Sequence, residues 1–167
     1  MRALHMLVAV VLSLFSAAAL SAGDEISSAM KQILDQRKND FASIRKDPHD
    51  ASGEVDYMST VVVPGAKRCY IRQDVKPHYS DRCDVAESKN RAAVMAKYAT
   101  YVKDLKSATA TTWTTWTEKK SRPAGEETYM GPDHSHPAAS VGWVVEGMNA
   151  DYYLLSVAFF ADGYARP

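Results

Sequence analysis

The chain has 167 residues, 46% of them hydrophobic and 24% charged, with Lys plus Arg and Asp plus Glu equal at 20 each. That length suits a single domain, and the composition excludes a collagen-like or disordered chain. The charge balance argues against nucleic acid as the main partner, because phosphate binding needs concentrated positive surface.

Residues 1–22 read as a cleaved secretory signal. Arg2 is the positive start, an apolar run extends from Leu4 to Leu20, and Ala19, Ser21 and Ala22 supply small residues at a cleavage point. Gly23-Asp24-Glu25 follows too soon for a membrane-stop helix, so no stable membrane anchor is expected after cleavage. Gly23 stands where a lipoprotein signal requires cysteine, and no Asn lies in an N-glycan acceptor pattern. Together these features predict a periplasmic or secreted protein whose single mature domain spans residues 23–167.

Ile26, Met30, Ile33, Leu34, Arg37, Phe41 and Ile44 recur three or four apart for much of their run, the stripe of an amphipathic helix capped by Asp24. Pro48 predicts that it stops by Asp47, with an exposed loop over 49–53. From Tyr57 the β-branched run through Val63 predicts a strand, Pro64-Gly65 a turn, and residues 68–72 the returning strand. In the expected register Val62 faces Cys69 and Thr60 faces Ile71. A second hairpin with a loop at 74–78 places Gln73 opposite Tyr79, Ile71 opposite Asp81 and Cys69 opposite Cys83.

That last pairing predicts a disulfide, since directly opposed strand residues bring their Cα atoms within bridging reach and an exported chain meets an oxidising compartment. The spacing is not Cys-x-x-Cys, and no second cysteine pair completes a zinc site. The bend Val75-Lys76-Pro77-His78 is then a candidate contact for a partner.

Val94, Met95, Tyr98, Tyr101, Val102 and Leu105 make the apolar stripe of a second helix over 86–106. Residues 109–117 are too rich in β-branched residues for a good helix and predict a strand. Alternation would send Trp113 and Trp116 to opposite faces. Residues 119–137 read as the longest irregular stretch, with a short strand around 127–130. Val141, Trp143 and Val145 face Val157, Leu155 and Tyr153 across a turn at Asn149 in the final hairpin.

The fold class is therefore α+β: a curved antiparallel sheet of about six strands with two packed helices, in the order α-β-β-β-α-β-β-β. This order is loosely similar to that of type III secretion chaperone-like domains, a fold-level likeness without a shared motif.

Motifs for chemistry are sparse. Asp133-His134-Ser135-His136 is a weak metal candidate, because imidazoles two apart on an extended segment point opposite ways and need a third ligand such as Glu126, Glu127 or His78. There is no G-x-S-x-G and no glycine-rich phosphate loop, and no cofactor is expected. The leading expectation is a non-enzymatic binding protein acting on a protein partner, as an inhibitor, an immunity protein or an envelope or secretion accessory factor. Its candidate contacts are Lys76, Pro77, His78, Trp116, Tyr129, His134 and His136. The alternatives are a small metal-dependent hydrolase using His134 and His136, or a periplasmic small-ligand binder with a cavity between helices and strands.

Overall fold

The computed structural model describes residues 22–50, 55–75, 78–121, 123–147 and 152–165. Residues 1–21 of the expected signal segment, Lys76-Pro77 and the turn at Asn149 lie outside them. The elements are α1 (Ala22–Leu34), β1 (Arg45–Asp50), β2 (Val55–Ser59), β3 (Arg68–Val75), β4 (His78–Ser88), α2 (Arg91–Ala108), β5 (Thr114–Ser121), β6 (Ala124–Gly131), β7 (Ala139–Glu146) and β8 (Tyr152–Phe160).

The eight strands form one open antiparallel sheet in the order β1-β2-β3-β4-β8-β7-β6-β5. Each half is a helix followed by a four-stranded meander, and the two meanders meet through β4 and β8. The order α-β-β-β-β-α-β-β-β-β thus replaces the expected one, with eight strands rather than about six. The additions are β1, from the expected tail of the first helix and its loop, and β6, which runs over Ala124–Gly131 where only a short strand around 127–130 was expected within an irregular stretch. Pro48 is tolerated in β1 because that strand is a sheet edge.

The first helix ends at Leu34, well before Ile44. Beyond it two 3-10 turns, Arg37–Asn39 and Ala42–Ile44, flank Asp40 and Phe41 at φ of 50° and 61°. Arg37, in the first of these turns, pairs with Asp162 at 3.0 Å, donates to the Phe160 carbonyl and lies 5.5 Å from the centroid of the Trp113 ring, contacts that hold the bent segment against the end of β8. Phe41 and Ile44 reach the core regardless, the apolar spacing being satisfied by a bent chain.

The strand expected over 57–63 also stops early, at Ser59. Thr60 N–H donates to the Ile44 carbonyl at 2.7 Å, and Val61 and Val63 are buried from a loop rather than a strand. Tyr57 consequently pairs with Ile71 and Met58 with Tyr70, three places from the expected register. Gly65 takes φ of 82° in the Pro64-Gly65 turn, where the Tyr101 hydroxyl donates to the Pro64 carbonyl at 2.5 Å.

The second and last hairpins match the expected pairings at Ile71–Asp81, Cys69–Cys83, Val145–Tyr153, Trp143–Leu155 and Val141–Val157. Near the bend β3 and β4 run further than expected, Val75 pairing with His78. The second helix starts at Arg91, not Ala86, because β4 continues along β8 to Ser88. Asn90 caps it by accepting from Ala93 N–H at 3.1 Å.

Both helices pack on one side of the sheet, hereafter the helix side. There Met30, Ile33, Phe41, Ile71, Leu105 and Phe159 are among the largest fully buried side chains. The opposite, open side carries a smaller cluster of Trp116, Tyr129, Ala158 and Phe160, with Tyr164 packed against it.

Candidate functional site

Strand alternation and the pairings lay out one row across the open side: Met58, Tyr70, Arg82, Ala158, Ser140, Tyr129 and Trp116, from β2 to β5. The two ends of this row differ in chemistry.

At the β3–β4 end Tyr70 is flanked by two guanidinium groups, Arg68 at 5.4 Å and Arg72 at 5.6 Å from its ring centroid. Arg72 makes a bidentate pair with Asp56 at 3.0 and 2.9 Å, and Arg68 Nε donates to Asp84 at 2.6 Å. Arg82 Nε donates to Ser80 at 3.4 Å. Arg68 is exposed, and Tyr70, Arg72 and Arg82 are half-buried. Burial, aided by the Asp84 charge, raises the Tyr70 pKa against the lowering effect of the three arginines, so its hydroxyl stays a donor. The Asp84 hydrogen bond and charge raise that of Arg68. Beside this group lies a hollow of about 550 Å³ whose walls include Arg68, Tyr70, Arg82, Val144 and Leu154.

At the β5–β6 end the rings of Tyr129, Trp116 and His134 stack in sequence, with centroids 5.5 and 4.6 Å apart. Trp116 and Tyr129 are buried, and the exposed ring is that of His134. Next to them Glu127 is caged: Ser140 donates at 2.6 Å, Tyr129 at 2.7 Å, and Lys120 completes the set. Burial pushes the Glu127 pKa up, but these hydrogen bonds and the Lys120 charge win and hold it below its ordinary value. Gly142 leaves the Glu127 side chain room to lie across β7, since a Cβ there would stand 3.0 Å from its Cγ.

The two histidines of the sequence motif do not converge. His134 lies on Trp116, whereas His136 Nδ1 sits 3.0 Å from Asp133, whose carboxylate also accepts from the backbone N–H of Ser135 and His136. The hydrogen bond to His136 leads the causes that lower the Asp133 pKa. Glu126 and Glu127 project to opposite sides of β6: Glu126 bonds Tyr98 on the helix side and Glu127 lies on the open side. His78 lies in β4, and Lys76 and Pro77 fall outside the described residues.

On the helix side a groove of about 610 Å³ runs between α2 and β6, lined by Ala99, Val102, Lys103 and Lys106 together with a polar group. In that group the Tyr98 hydroxyl bonds Thr128 at 2.7 Å and Glu126 at 3.1 Å, and Thr128 bonds Thr117 at 2.8 Å. Burial leads the causes that push the Tyr98 pKa up to about 12.

Sequence reasoning passed over Asp81 as a site residue. It is fully buried on the helix side of β4, where Ser59 donates to Oδ2 at 2.8 Å and Oδ1 has no hydrogen-bond partner among the described residues. Burial raises its pKa to about 7, with the Ser59 bond opposing. The signal was present: the register that paired the cysteines also set an aspartate opposite Ile71. Cys69 and Cys83 form the expected disulfide, both fully buried.

No protein-family model matches the chain, and no curated protein or solved structure matches it.

Proposed function

We propose that the chain is an exported, periplasmic or secreted, non-enzymatic binding protein. It acts on a protein partner seated on the open side of the sheet, as an inhibitor, an immunity protein or an envelope accessory factor does. The observation that carries this reading is the Tyr70 ring held between Arg68 and Arg72, with Arg82 beside it in register. Tyrosine and arginine are the residue types that dominate binding energy at protein interfaces. Here Asp56 and Asp84 already hold two of the guanidinium groups, so docking costs less side-chain freedom than it would for free arginines. The disulfide fits a chain that has passed through an oxidising compartment.

The test is affinity capture from the source envelope with wild-type protein and with a Tyr70→Ala/Arg82→Ala variant of unchanged melting temperature. One stoichiometric partner on the wild type, lost on the variant, is the expected result. Equal recovery on both would contradict the reading.

A second reading, small-ligand binding, has one observation in its favour: the α2–β6 groove ends in the Tyr98, Thr128 and Glu126 hydrogen-bonding group. It predicts that a ligand protects Tyr98 rather than Tyr70 from nitration.

A further inference from the structure

The Cys69–Cys83 bond and the Asp81 carboxyl group form one buried cluster. Cys69 pairs with Cys83 and Ile71 with Asp81, so Asp81 and Cys83, two positions apart on β4, project to the same side. Both sulfurs and a carboxylate oxygen lie within 4.8 Å of one another.

The surroundings of Asp81 are apolar. Ile71 flanks it on β3 and Phe159 on β8, Ser59 at the end of β2 is its hydrogen-bond donor, and Oδ1 stays without one among the described residues. The ionisable groups on this side include Tyr57 and Tyr79, the Arg45 guanidinium stacked over both rings, Tyr98, Tyr101 and Asp104 of α2, Glu126 of β6 and Tyr153 of β8; α1 turns Met30 and Ile33 inward. None of these charges contributes to the titration of Asp81, which burial and the Ser59 hydroxyl govern. A carboxyl group here costs stability that an apolar residue would not. What it adds is an acid held against a disulfide, and a thiolate leaving a disulfide is stabilised by a proton from a nearby acid.

We infer that Cys69–Cys83 is a proton-coupled redox site, opened by a dithiol reductant, in which Asp81 protonates the departing Cys83 thiolate. Access comes from the β2–β3 seam. β2 pairs with β3 at Tyr57–Ile71 and Met58–Tyr70, and in the loop that follows, Val63 N–H lies 3.4 Å from Cys69 Sγ. Local opening of so short a ladder bares Cys69 first, which makes Cys69 the sulfur attacked and Cys83 the leaving group.

The reductant loses one proton to solvent, and its thiolate bonds to Cys69 as the Cys69–Cys83 bond breaks. Cys83 leaves as thiolate and takes the Asp81 proton. The second reductant thiol gives up its proton, and its thiolate displaces Cys69 from the mixed disulfide, closing the reductant's own disulfide. Cys69 takes one of the two released protons; the other returns to Asp81 at low pH and goes to solvent at higher pH, where Asp81 beside the new thiols stays ionised. Two electrons and two protons have passed from the reductant to the cysteines.

The test is the exchange equilibrium of the oxidised full chain with dithiothreitol between about pH 6 and 8. There the reductant keeps its protons, so the constant is independent of pH unless a protein group changes its proton uptake on reduction. The new thiols offer Asp81 donors that the disulfide lacks, which favours its ionised form. In wild type the constant for reduction therefore rises with pH, about threefold or more, and in Asp81→Asn it stays flat. Ser59→Ala removes a donor to the carboxylate and moves the rise to higher pH, and it decides the matter alone if Asp81→Asn does not fold. A constant flat in wild type, a rise that persists in Asp81→Asn, a rise unmoved in Ser59→Ala, or reduction only at the rate of global unfolding would each overturn the inference.

Discussion

The Ser59 hydroxyl donates a 2.8 Å hydrogen bond to Asp81 across β3, tying the end of β2 to β4. Burial raises the Asp81 pKa from 3.8 to about 7, with the Ser59 bond pulling the other way. The folded chain therefore keeps a proton that the unfolded chain releases between these values. The associated stability is full below the unfolded pKa and is lost as pH rises through about 7. The raised pKa corresponds to about 4 kcal/mol. Thermal unfolding of wild type is expected to move to lower temperature from about pH 5 to pH 8, and Asp81→Asn to remove most of that slope. Parallel curves for the two proteins would show that the slope belongs to other groups.

Gly65 and Tyr101 lock the loop after β2 to α2. A Cβ on Gly65, whose φ is 82°, would stand 2.6 Å from the Tyr101 hydroxyl oxygen. Gly65→Ala is expected to cost about 1–3 kcal/mol through backbone strain and that clash, and Tyr101→Phe about 1 kcal/mol through the lost hydrogen bond. Removing the hydroxyl also relieves the clash, so the double variant should cost less than the two single costs combined. Urea unfolding of all four proteins measures this coupling.

Glu127 works in the opposite direction to Asp81. Its cage of Lys120, Ser140 and Tyr129 outweighs burial and lowers its pKa from 4.5. The stability it adds is present above the unfolded pKa and is lost as pH falls through the folded value. Glu127→Gln keeps the shape and loses the charge, with an expected cost of about 1.5–3 kcal/mol near neutral pH. In acid the variant and wild type should converge when their melting temperatures are followed downward.

Much of the fold was legible where alternation and turn chemistry agreed. Cys69–Cys83, Ile71–Asp81 and the pairing of β7 with β8 follow from apolar residues recurring every second position around a single bend. Residues 34–50 were not legible, because the same apolar spacing that buries Ile26, Met30 and Ile33 from a helix also buries Phe41 and Ile44 from a bent chain. The contact that holds the bend, Arg37 with Phe160 and Asp162, is distant in sequence. The full length of the β5–β6 hairpin was hidden by its charge. Glu118 and Lys120 sit on the open side of an edge strand, where alternation of apolar and polar residues is weak. Of the candidate contacts, Trp116 and Tyr129 are covered because the loop after β6 lays His134 over Trp116, a relation that strand periodicity cannot express. Tyr70 and its arginines were readable as one face of β3, but Asp56 and Asp84 join them only through the sheet.

The affinity of the captured partner for single variants of the chain, measured by titration calorimetry, tests the open-side surface most directly. Tyr70→Ala is expected to weaken binding about tenfold or more, about 1.4 kcal/mol, with His136→Ala within about twofold of wild type. Unchanged affinity in Tyr70→Ala, with the loss falling instead on His134→Ala or His136→Ala, would move the partner from the Tyr70 end of the sheet to the loop after β6 and contradict this reading.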